Sequence, residues 1–189
     1  MNKSHPQDTL FKLYDNLFDE KTIDKLYGSY RDHKSWRFIG AADEETENQW
    51  RKFSYVLNPN DEIDKILYEK ANDILEQNNL SSSVERVRAY ASGSVYGTIN
   101  PIHTDDTSEN YNEIVTVMFY LNKIWKMSYA GETIFLTKDW NEIWKSVIPN
   151  PGRAVLFDGF LPHGAREISR ACVELRMVAT IRYKKNVIR

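Results

Sequence analysis

The chain has 189 residues, of which 41% are hydrophobic and 28% are charged, and its formal net charge is −2. This length suits one domain with a buried core, and the small net charge excludes recruitment of nucleic acid or an anionic membrane by the overall field. The single cysteine, Cys172, excludes an internal disulfide and a cysteine-based metal cluster, and the lack of a long apolar segment predicts a cytoplasmic protein without a membrane anchor.

The first 80 residues predict a helical support region. Residues 11–14 alternate apolar and polar side chains, which favours a short strand. Asp19 can cap a first helix and Asp61 a second one, and residues 51–56 form a candidate strand between them. The apolar side chains of the two helices recur at helical spacing: Ile23, Leu26, Tyr27 and Tyr30 in the first, and Ile63, Ile66, Leu67, Ile74 and Leu75 in the second.

Residues 84–183 contain short runs rich in β-branched and aromatic residues, separated by Asn-Pro, Pro-Gly and Ser-Gly turns. The predicted strands are residues 84–90, 114–121, 133–136, 154–157 and 173–183. Within this region Trp140 and Trp144, four positions apart, predict a short helix with one buried face. Helices followed by strands indicate an α+β, mainly β fold, in which the helices pack on one face of a barrel or double-sheet jelly roll.

Two of the four histidines, His103 and His163, fall in the strand-rich half of the chain. Asp105 lies two positions after His103, so on an extended chain both side chains point to the same side. Two histidines and one carboxylate on a β scaffold fit the facial triad of non-haem Fe(II) oxygenases. A lone His-x-Asp pair is more often a surface feature or a local hydrogen bond, and Asp106 fits a solvated or supporting acid better than a ligand.

Five blocks of sequence, in the same order, resemble the prolyl 4-hydroxylase-like branch of the Fe(II)/2-oxoglutarate-dependent oxygenase superfamily. Together they cover about residues 84–183. They are Tyr90-x-x-Gly93-x-x-Tyr96 before 101–105, residues 115–125 with Tyr-Leu-Asn, Ala130-Gly131-Glu132-Thr133, residues 149–157 before Pro162-His163, and Arg176-x-x-x-Thr180. The resemblance implies a double-stranded β-helix (jelly-roll) core at residues 84–183, within a single oxygenase domain spanning residues 1–189.

The same resemblance implies site residues and cofactors. Iron(II) is expected on His103, Asp105 and His163, with 2-oxoglutarate and dioxygen as cosubstrates and ascorbate as a further candidate. Arg176 is expected to anchor the distal carboxylate of 2-oxoglutarate. Tyr120 would donate a hydrogen bond from its hydroxyl to that carboxylate, although the sequence is nearly as compatible with a tyrosine that only packs in the core. Thr180 would lie nearby, and Tyr90 would line the pocket.

The sequence departs from the family pattern in three places. Tyr96 and His103 are separated by more residues than is common, which predicts a small insertion before the metal site. Ala130 replaces the first glycine of the usual Gly-Gly-Glu-Thr turn, which is compatible with the turn if Ala130 keeps a negative φ. Arg176 lies 13 positions after His163, farther than usual, so Arg166 and Arg170 are alternative anchors. Strand alternation favours Arg176: it shares a face with Val178, Thr180 and Arg182, while Leu175, Met177, Ala179 and Ile181 form an apolar face suited to packing under the helices.

The expected activity is hydroxylation of an unactivated C–H bond in a small molecule, amino acid or peptide, with release of succinate and carbon dioxide. Asp105 favours hydroxylation over halogenation, because related halogenases carry a small residue at this position. The alternatives are a peptidyl-prolyl 4-hydroxylase acting on a protein and a catalytically silent metal-binding relative. Nucleobase oxidation is disfavoured, since no basic stripe interleaved with aromatic residues is present. The expected partner is therefore a small-molecule or peptide substrate, with no nucleic acid and no membrane.

Overall fold

Two antiparallel β-sheets and two α-helices form the part of the chain that this computed structural model describes, residues 9–32, 35–41, 50–98, 100–106 and 113–186. The helices are α1 (Glu20–Arg31) and α2 (Glu62–Gln77), and Met127–Tyr129 forms a short 3-10 turn. The strands are β1 (Phe11–Tyr14), β2 (Arg37–Ala41), β3 (Trp50–Val56), β4 (Val84–Ser94), β5 (Ile114–Tyr120), β6 (Thr133–Leu136), β7 (Ile143–Val147), β8 (Ala154–Asp158), β9 (His163–Ala165) and β10 (Arg176–Lys185). His5 and His33 lie outside the described residues.

The larger sheet has the strand order β1-β8-β5-β10-β4-β3-β2, and the smaller has the order β7-β6-β9. Apolar side chains of both sheets, among them Met118, Phe135, Phe157 and Val178, pack into one buried cluster between them. Two facing antiparallel sheets of this kind form a double-stranded β-helix, which confirms the predicted jelly-roll core.

Both helices begin at the predicted capping residues. The side chain of Asp19 accepts a hydrogen bond from the backbone N–H of Thr22, and that of Asp61 accepts from Ile63 and Asp64. Such caps satisfy N–H groups that have no partner within the helix. The predicted apolar faces then pack on the larger sheet, where Tyr30, Leu67 and Ile74 join Met177, Ala179 and Ile181 of β10 in a second core. The predicted face of β10 is therefore confirmed.

Three predictions of local structure need correction. The Lys138–Trp144 segment is not a helix: Trp140 has φ 62° in a turn closed by Thr137 and Asp139, and Trp144 lies in β7. The last strand begins at Arg176 and not at residue 173, because exposed Val173 lies outside the hydrogen-bonded ladder. The first 80 residues are also less helical than expected, since they contribute β1, β2 and β3 to the larger sheet.

The helices of the described chain are all too short or too polar to cross a lipid bilayer. Their apolar faces are instead used inside the protein, against the outer face of the larger sheet. The opposite face of that sheet, together with the smaller sheet, surrounds the cavity that contains the two predicted histidines.

Candidate active site

His103 and His163 are held side by side by their own backbones. The N–H of His103 donates to the carbonyl of His163 at 2.9 Å, and the N–H of His163 donates back at 2.8 Å. The two imidazole centroids consequently lie 4.5 Å apart. Gly164 permits this close approach, because a Cβ there would come within 2.9 Å of Ile102 and 3.1 Å of a backbone oxygen. Two hydrogen bonds at the site itself thus join two residues that are 60 positions apart in the sequence.

Asp105 completes the group from the same loop as His103. Its backbone N–H and that of Asp106 both donate to the carbonyl of Gly159, at 2.8 and 3.0 Å. The Asp105 Oδ2 atom accepts a 2.7 Å hydrogen bond from the hydroxyl of Thr116 on β5. Oδ1 is then turned toward the imidazoles, 3.5 Å from Nε2 of His103 and 3.8 Å from Nε2 of His163. One ligand atom from each of the three residues falls within 4.8 Å of the others.

The hydrogen bonds of this group match what a metal ligand requires. Nδ1 of His163 lies 2.8 Å from the carbonyl of Leu161, and Nδ1 of His103 lies 3.1 Å from that of Pro101. An Nδ1–H that donates to a carbonyl leaves the lone pair of Nε2 available for an ion. The buried Oδ1 atom of Asp105 accepts no well-aligned hydrogen bond from any described residue, although the Arg182 guanidinium contacts it as an ion pair.

The protonation states also fit a divalent metal ion. Burial lowers the pKa of His163 to about 4, although the nearby Asp105 carboxylate acts in the opposite direction. Burial alone would raise the pKa of Asp105, but the neighbouring His163, His103 and Arg182 side chains outweigh it and hold the pKa below its ordinary value. At neutral pH the site therefore offers a neutral imidazole and a carboxylate, the forms that bind metal ions. Asp106 instead accepts from the backbone N–H groups of Glu113 and Ile114, which is a structural use.

Arg176 is a buried cation at the other end of the same cavity. Only 3% of the residue is exposed, and its guanidinium donates to the carbonyl of Gly131 at 2.6 Å and to the hydroxyl of Thr133 at 2.9 Å. The Tyr120 hydroxyl donates to the same Thr133 oxygen at 2.8 Å. No carboxylate within the described chain forms an ion pair with Arg176. A buried guanidinium of this kind needs an anion, and its planar fork matches a carboxylate.

The two alternative arginines lie elsewhere. Arg166 is directed to Glu132, 3.7 Å away, and more than half of its side chain is exposed. Arg170 is exposed as well, and it contacts the hydroxyl of Tyr96 at 3.3 Å. Neither residue lines the cavity, whereas Arg176 does. The placement therefore supports the interpretation that strand alternation favoured.

The cavity has a volume of about 490 Å³, including the space at its open mouth. Five of the residues that the sequence singled out for this site line the cavity: Tyr90, His103, His163, Arg176 and Thr180. The other two, Asp105 and Tyr120, lie just behind the cavity wall, where Asp105 is hydrogen-bonded to Thr116 and Tyr120 to Thr133. The lining residues used below are Lys52, Tyr90, His103, Thr133, His163, Arg176 and Thr180.

Four residues of the site were missed by the sequence analysis as functional candidates: Lys52, Thr116, Thr133 and Arg182. Alternation with Arg176 had placed Arg182 on the inward face of the last strand, which was a usable signal. Thr133 ends the Ala130-Gly131-Glu132-Thr133 block, which resembles the family. Its neighbours in the sequence gave no indication that its hydroxyl accepts hydrogen bonds from both Arg176 and Tyr120. Lys52 lies in the candidate strand at residues 51–56, and its place at the cavity depends on how β3 pairs with β4.

The backbone of Ala130, in the turn beside Arg176, differs from the conformation expected from the sequence. Ala130 has φ 52° and ψ −140°, not the negative φ on which the replacement of glycine was expected to depend. An alanine held in this region costs on the order of 1–3 kcal/mol. The neighbouring structure enforces it, since Trp125 Nε1 donates to the Ala130 carbonyl at 2.8 Å and Ala130 bridges to Ile168.

Ala130→Gly is therefore expected to stabilise the protein. The relieved strain exceeds the added chain entropy of the unfolded state, which costs about 0.4–1 kcal/mol. A net gain of about 1 kcal/mol raises the melting temperature by roughly 2–4 °C at this chain length. Thermal unfolding followed by circular dichroism measures the change. Ala171→Gly, at an exposed position without a positive φ, is the matched control and should give no gain. An equal or lower melting temperature for Ala130→Gly would contradict the strained turn.

Comparisons with known proteins agree with this arrangement. The family model described as the 2OG-Fe(II) oxygenase superfamily matches residues 86–183, just over half of the chain. Among curated protein sequences, none matches this chain.

Several solved structures share the fold. A Trichoplax adhaerens prolyl hydroxylase, in complex with a hypoxia-inducible-factor peptide fragment, aligns with a TM-score of 0.73 and 15% identity, over 94% of this chain and 84% of that one. A Pseudomonas putida prolyl-4-hydroxylase gives 0.70 and 17%, over 95% and 94%. HygX from Streptomyces hygroscopicus, with nickel and 2-oxoglutarate bound, gives 0.69 and 12%, over 95% and 84%.

The match to the family model covers the segment that carries the two imidazoles, the carboxylate and the buried arginine. The residues present also fit the two groups in the family's description, since the triad offers metal-binding atoms and Arg176 offers a buried cation for a carboxylate. The chain thus belongs to the 2OG-Fe(II) oxygenase superfamily, with iron(II) as its metal and 2-oxoglutarate as its cosubstrate.

Proposed function

We propose that the protein hydroxylates a C–H bond of a small molecule, amino acid or peptide, with His103, Asp105 and His163 as the iron ligands. The convergence of these three residues is the observation that carries the proposal. The Nε2 atoms of both histidines are left available by Nδ1–H bonds to backbone carbonyls, and Oδ1 of Asp105 faces them from a side chain fixed by Thr116. The retained carboxylate favours hydroxylation over halogenation.

Arg176 is proposed to bind the distal carboxylate of 2-oxoglutarate. Its guanidinium is oriented by Gly131 and Thr133, so the planar fork is fixed before the cosubstrate arrives. Tyr120, whose pKa is raised by burial, stays a neutral phenol and can donate its proton to the carboxylate or to Thr133. Thr180 on β10 and Tyr90 on β4 pair across the two strands and line the space toward the metal site.

Bound iron(II) and 2-oxoglutarate supply the activation of dioxygen that the oxidation of a C–H bond requires, with succinate and carbon dioxide as products. The chain itself has three tasks. The triad fixes the metal, Arg176 and its partners orient the cosubstrate, and the packed apolar cluster around Phe135 and Phe157 limits the access of water. We further propose a single oxygenase domain, in which the N-terminal region supports this core.

Two alternatives differ in substrate or in activity. A peptidyl-prolyl 4-hydroxylase would use the same metal and the same anchor on a protein substrate. A catalytically silent relative is disfavoured, because the three ligand candidates and the buried arginine are all present and oriented. The nature of the substrate is decided by mass spectrometry of candidate small molecules and proline-containing peptides after incubation with iron(II), 2-oxoglutarate and air.

The cofactor assignment predicts a spectroscopic result. Protein loaded with iron(II) without oxygen should develop a weak visible charge-transfer band when 2-oxoglutarate is added, because the cosubstrate chelates a metal that the triad leaves partly open. Anaerobic absorption titration measures both the band and the affinity. The same titration with succinate is the control, since succinate lacks the keto oxygen needed for chelation and should give no band. Absence of both the band and any affinity for 2-oxoglutarate would overturn the oxygenase proposal.

A further inference from the structure

Both oxygen atoms of the Asp105 carboxylate are contacted by side chains of the larger sheet. The hydroxyl of Thr116 on β5 donates to Oδ2 at 2.7 Å, and the Nη2 atom of Arg182 on β10 forms an ion pair with Oδ1. Thr116 and Arg182 lie directly opposite each other in the β5–β10 ladder. The pairing of these two strands therefore fixes the positions from which one side chain reaches each oxygen atom of the carboxylate.

The guanidinium group of Arg182 has a second partner, which helps to fix its orientation. The same Nη2 atom donates to the hydroxyl of Tyr90 at 3.1 Å, and Cζ of Arg182 lies 5.6 Å from the centroid of the Tyr90 ring. Because Nη2 carries two hydrogens, it can serve Tyr90 and Asp105 at the same time. Only 15% of the Arg182 side chain is exposed. The cation that contacts Asp105 is therefore a largely buried group held by its neighbours.

The geometry of this contact differs from that of an ordinary buried ion pair. Arginine frequently pairs with a carboxylate through a planar fork that uses two of its nitrogens. Within the described chain the buried Nε of Arg182 has no hydrogen-bond acceptor, so the fork through Nε and Nη2 is not formed. Nη2 instead approaches Oδ1, the oxygen that lies 3.5 Å from Nε2 of His103 and 3.8 Å from Nε2 of His163. Arg182 thus contacts the atom of Asp105 that faces the two imidazoles.

We propose that Arg182 is a positioning residue, which holds Asp105 so that it binds the metal through Oδ1 alone. This rests on the proposed function, because Asp105 is one of the iron ligands proposed there. Thr116 occupies Oδ2 and Arg182 occupies one lone pair of Oδ1, so a second lone pair of Oδ1 is left on the side of the imidazoles. A carboxylate that turned and bound through both oxygens would take one of the positions that the facial triad leaves open. Arg182 thereby preserves the positions that 2-oxoglutarate and dioxygen need.

Titration of the metal-free protein with cobalt(II) tests the proposal without any turnover. Arg182→Met should weaken cobalt(II) binding at least about tenfold, because loss of a group that orients a metal ligand costs about 10- to 100-fold in affinity. The visible absorption spectrum of the bound cobalt(II) should also differ from that of the wild type, because the carboxylate is no longer held in one orientation. Arg182→Lys should restore most of the affinity and of the spectrum, since lysine keeps the charge and can donate from its ammonium group to Oδ1.

Arg88→Met is the matched control for the loss of a positive charge. Arg88 lies opposite Arg182 in the β4–β10 ladder, and its Cζ lies 4.9 Å from the centroid of the same Tyr90 ring. It is exposed, however, and within the described chain it forms no ion pair with Asp105. Arg88→Met should therefore change the cobalt(II) affinity by less than about twofold, as is usual for an exposed position.

Unchanged or tighter cobalt(II) binding by Arg182→Met would overturn the proposal, and tighter binding would show that Arg182 acts on the metal mainly by charge repulsion. Circular dichroism of the metal-free variants checks that they are folded. If Arg182→Met does not fold, Tyr90→Phe takes its place, because it removes the other hydrogen-bond partner of Nη2. Tyr90→Phe should weaken cobalt(II) binding about threefold, in the range of one hydrogen bond, and wild-type affinity in this variant would then overturn the proposal. If the wild-type protein itself binds no cobalt(II), the proposed function fails instead.

Discussion

Replacing His163 with alanine should reduce succinate production at least about 100-fold. Removal of even an outer partner of a metal ligand costs about 10- to 100-fold in metal affinity or activity, and this variant removes one of the proposed ligands itself. His103→Ala and Asp105→Ala should have the same effect, because each removes one of the three atoms that converge within 4.8 Å. Succinate is measured by mass spectrometry under saturating 2-oxoglutarate, and circular dichroism checks that each variant is folded.

His5→Ala and His33→Ala are the controls for these three variants, since both change a histidine that the proposal leaves out of the site. They should change succinate production little. Wild-type turnover in His163→Ala would show that the second imidazole ligand has been misassigned. A loss confined to His103→Ala and Asp105→Ala would lead to the same conclusion, because the proposal requires all three ligands.

Arg176→Met should raise the KM for 2-oxoglutarate at least about tenfold, equivalent to about 1.4 kcal/mol. In the proposed complex the variant would leave the distal carboxylate of the cosubstrate buried without its cation, and an unpaired buried charge costs several kcal/mol. Iron binding should be barely affected, because none of the proposed ligands is changed. Steady-state kinetics with varied 2-oxoglutarate and a separate iron titration measure the two effects.

Arg166→Met and Arg170→Met are matched controls, since both arginines are exposed and lie outside the cavity. Each should change the KM by less than about twofold, as is usual for surface positions away from such a site. Arg176→Lys should fall between wild type and Arg176→Met, because lysine keeps the charge but loses the planar fork. If Arg170→Met gives the large effect and Arg176→Met does not, the anchor assignment is wrong, while the proposed iron ligands are unaffected.

Local periodicity and capping residues were enough to predict the two helices and the faces of the last strand. Asp19 and Asp61 begin the two helices, and the apolar faces of those helices pack where their spacing predicted. Alternation along β10 correctly separated the face that carries Arg176 from the apolar face under the helices. The helix predicted from the spacing of Trp140 and Trp144 was wrong, because a spacing of four positions is also compatible with a turn followed by a strand.

Contacts between residues far apart in the sequence depend on how the strands pair in the folded protein. His163 faces His103 because two backbone hydrogen bonds join their segments across 60 positions. Lys52, Arg88 and Arg182 surround Tyr90 because β3, β4 and β10 are adjacent in the sheet and paired in one register. A positive φ at Ala130 is likewise imposed by contacts with Trp125 and Ile168. Strand order and register follow from the combined packing of both sheets, and a one-residue shift would turn each of these side chains to the other face, so no local pattern could specify them.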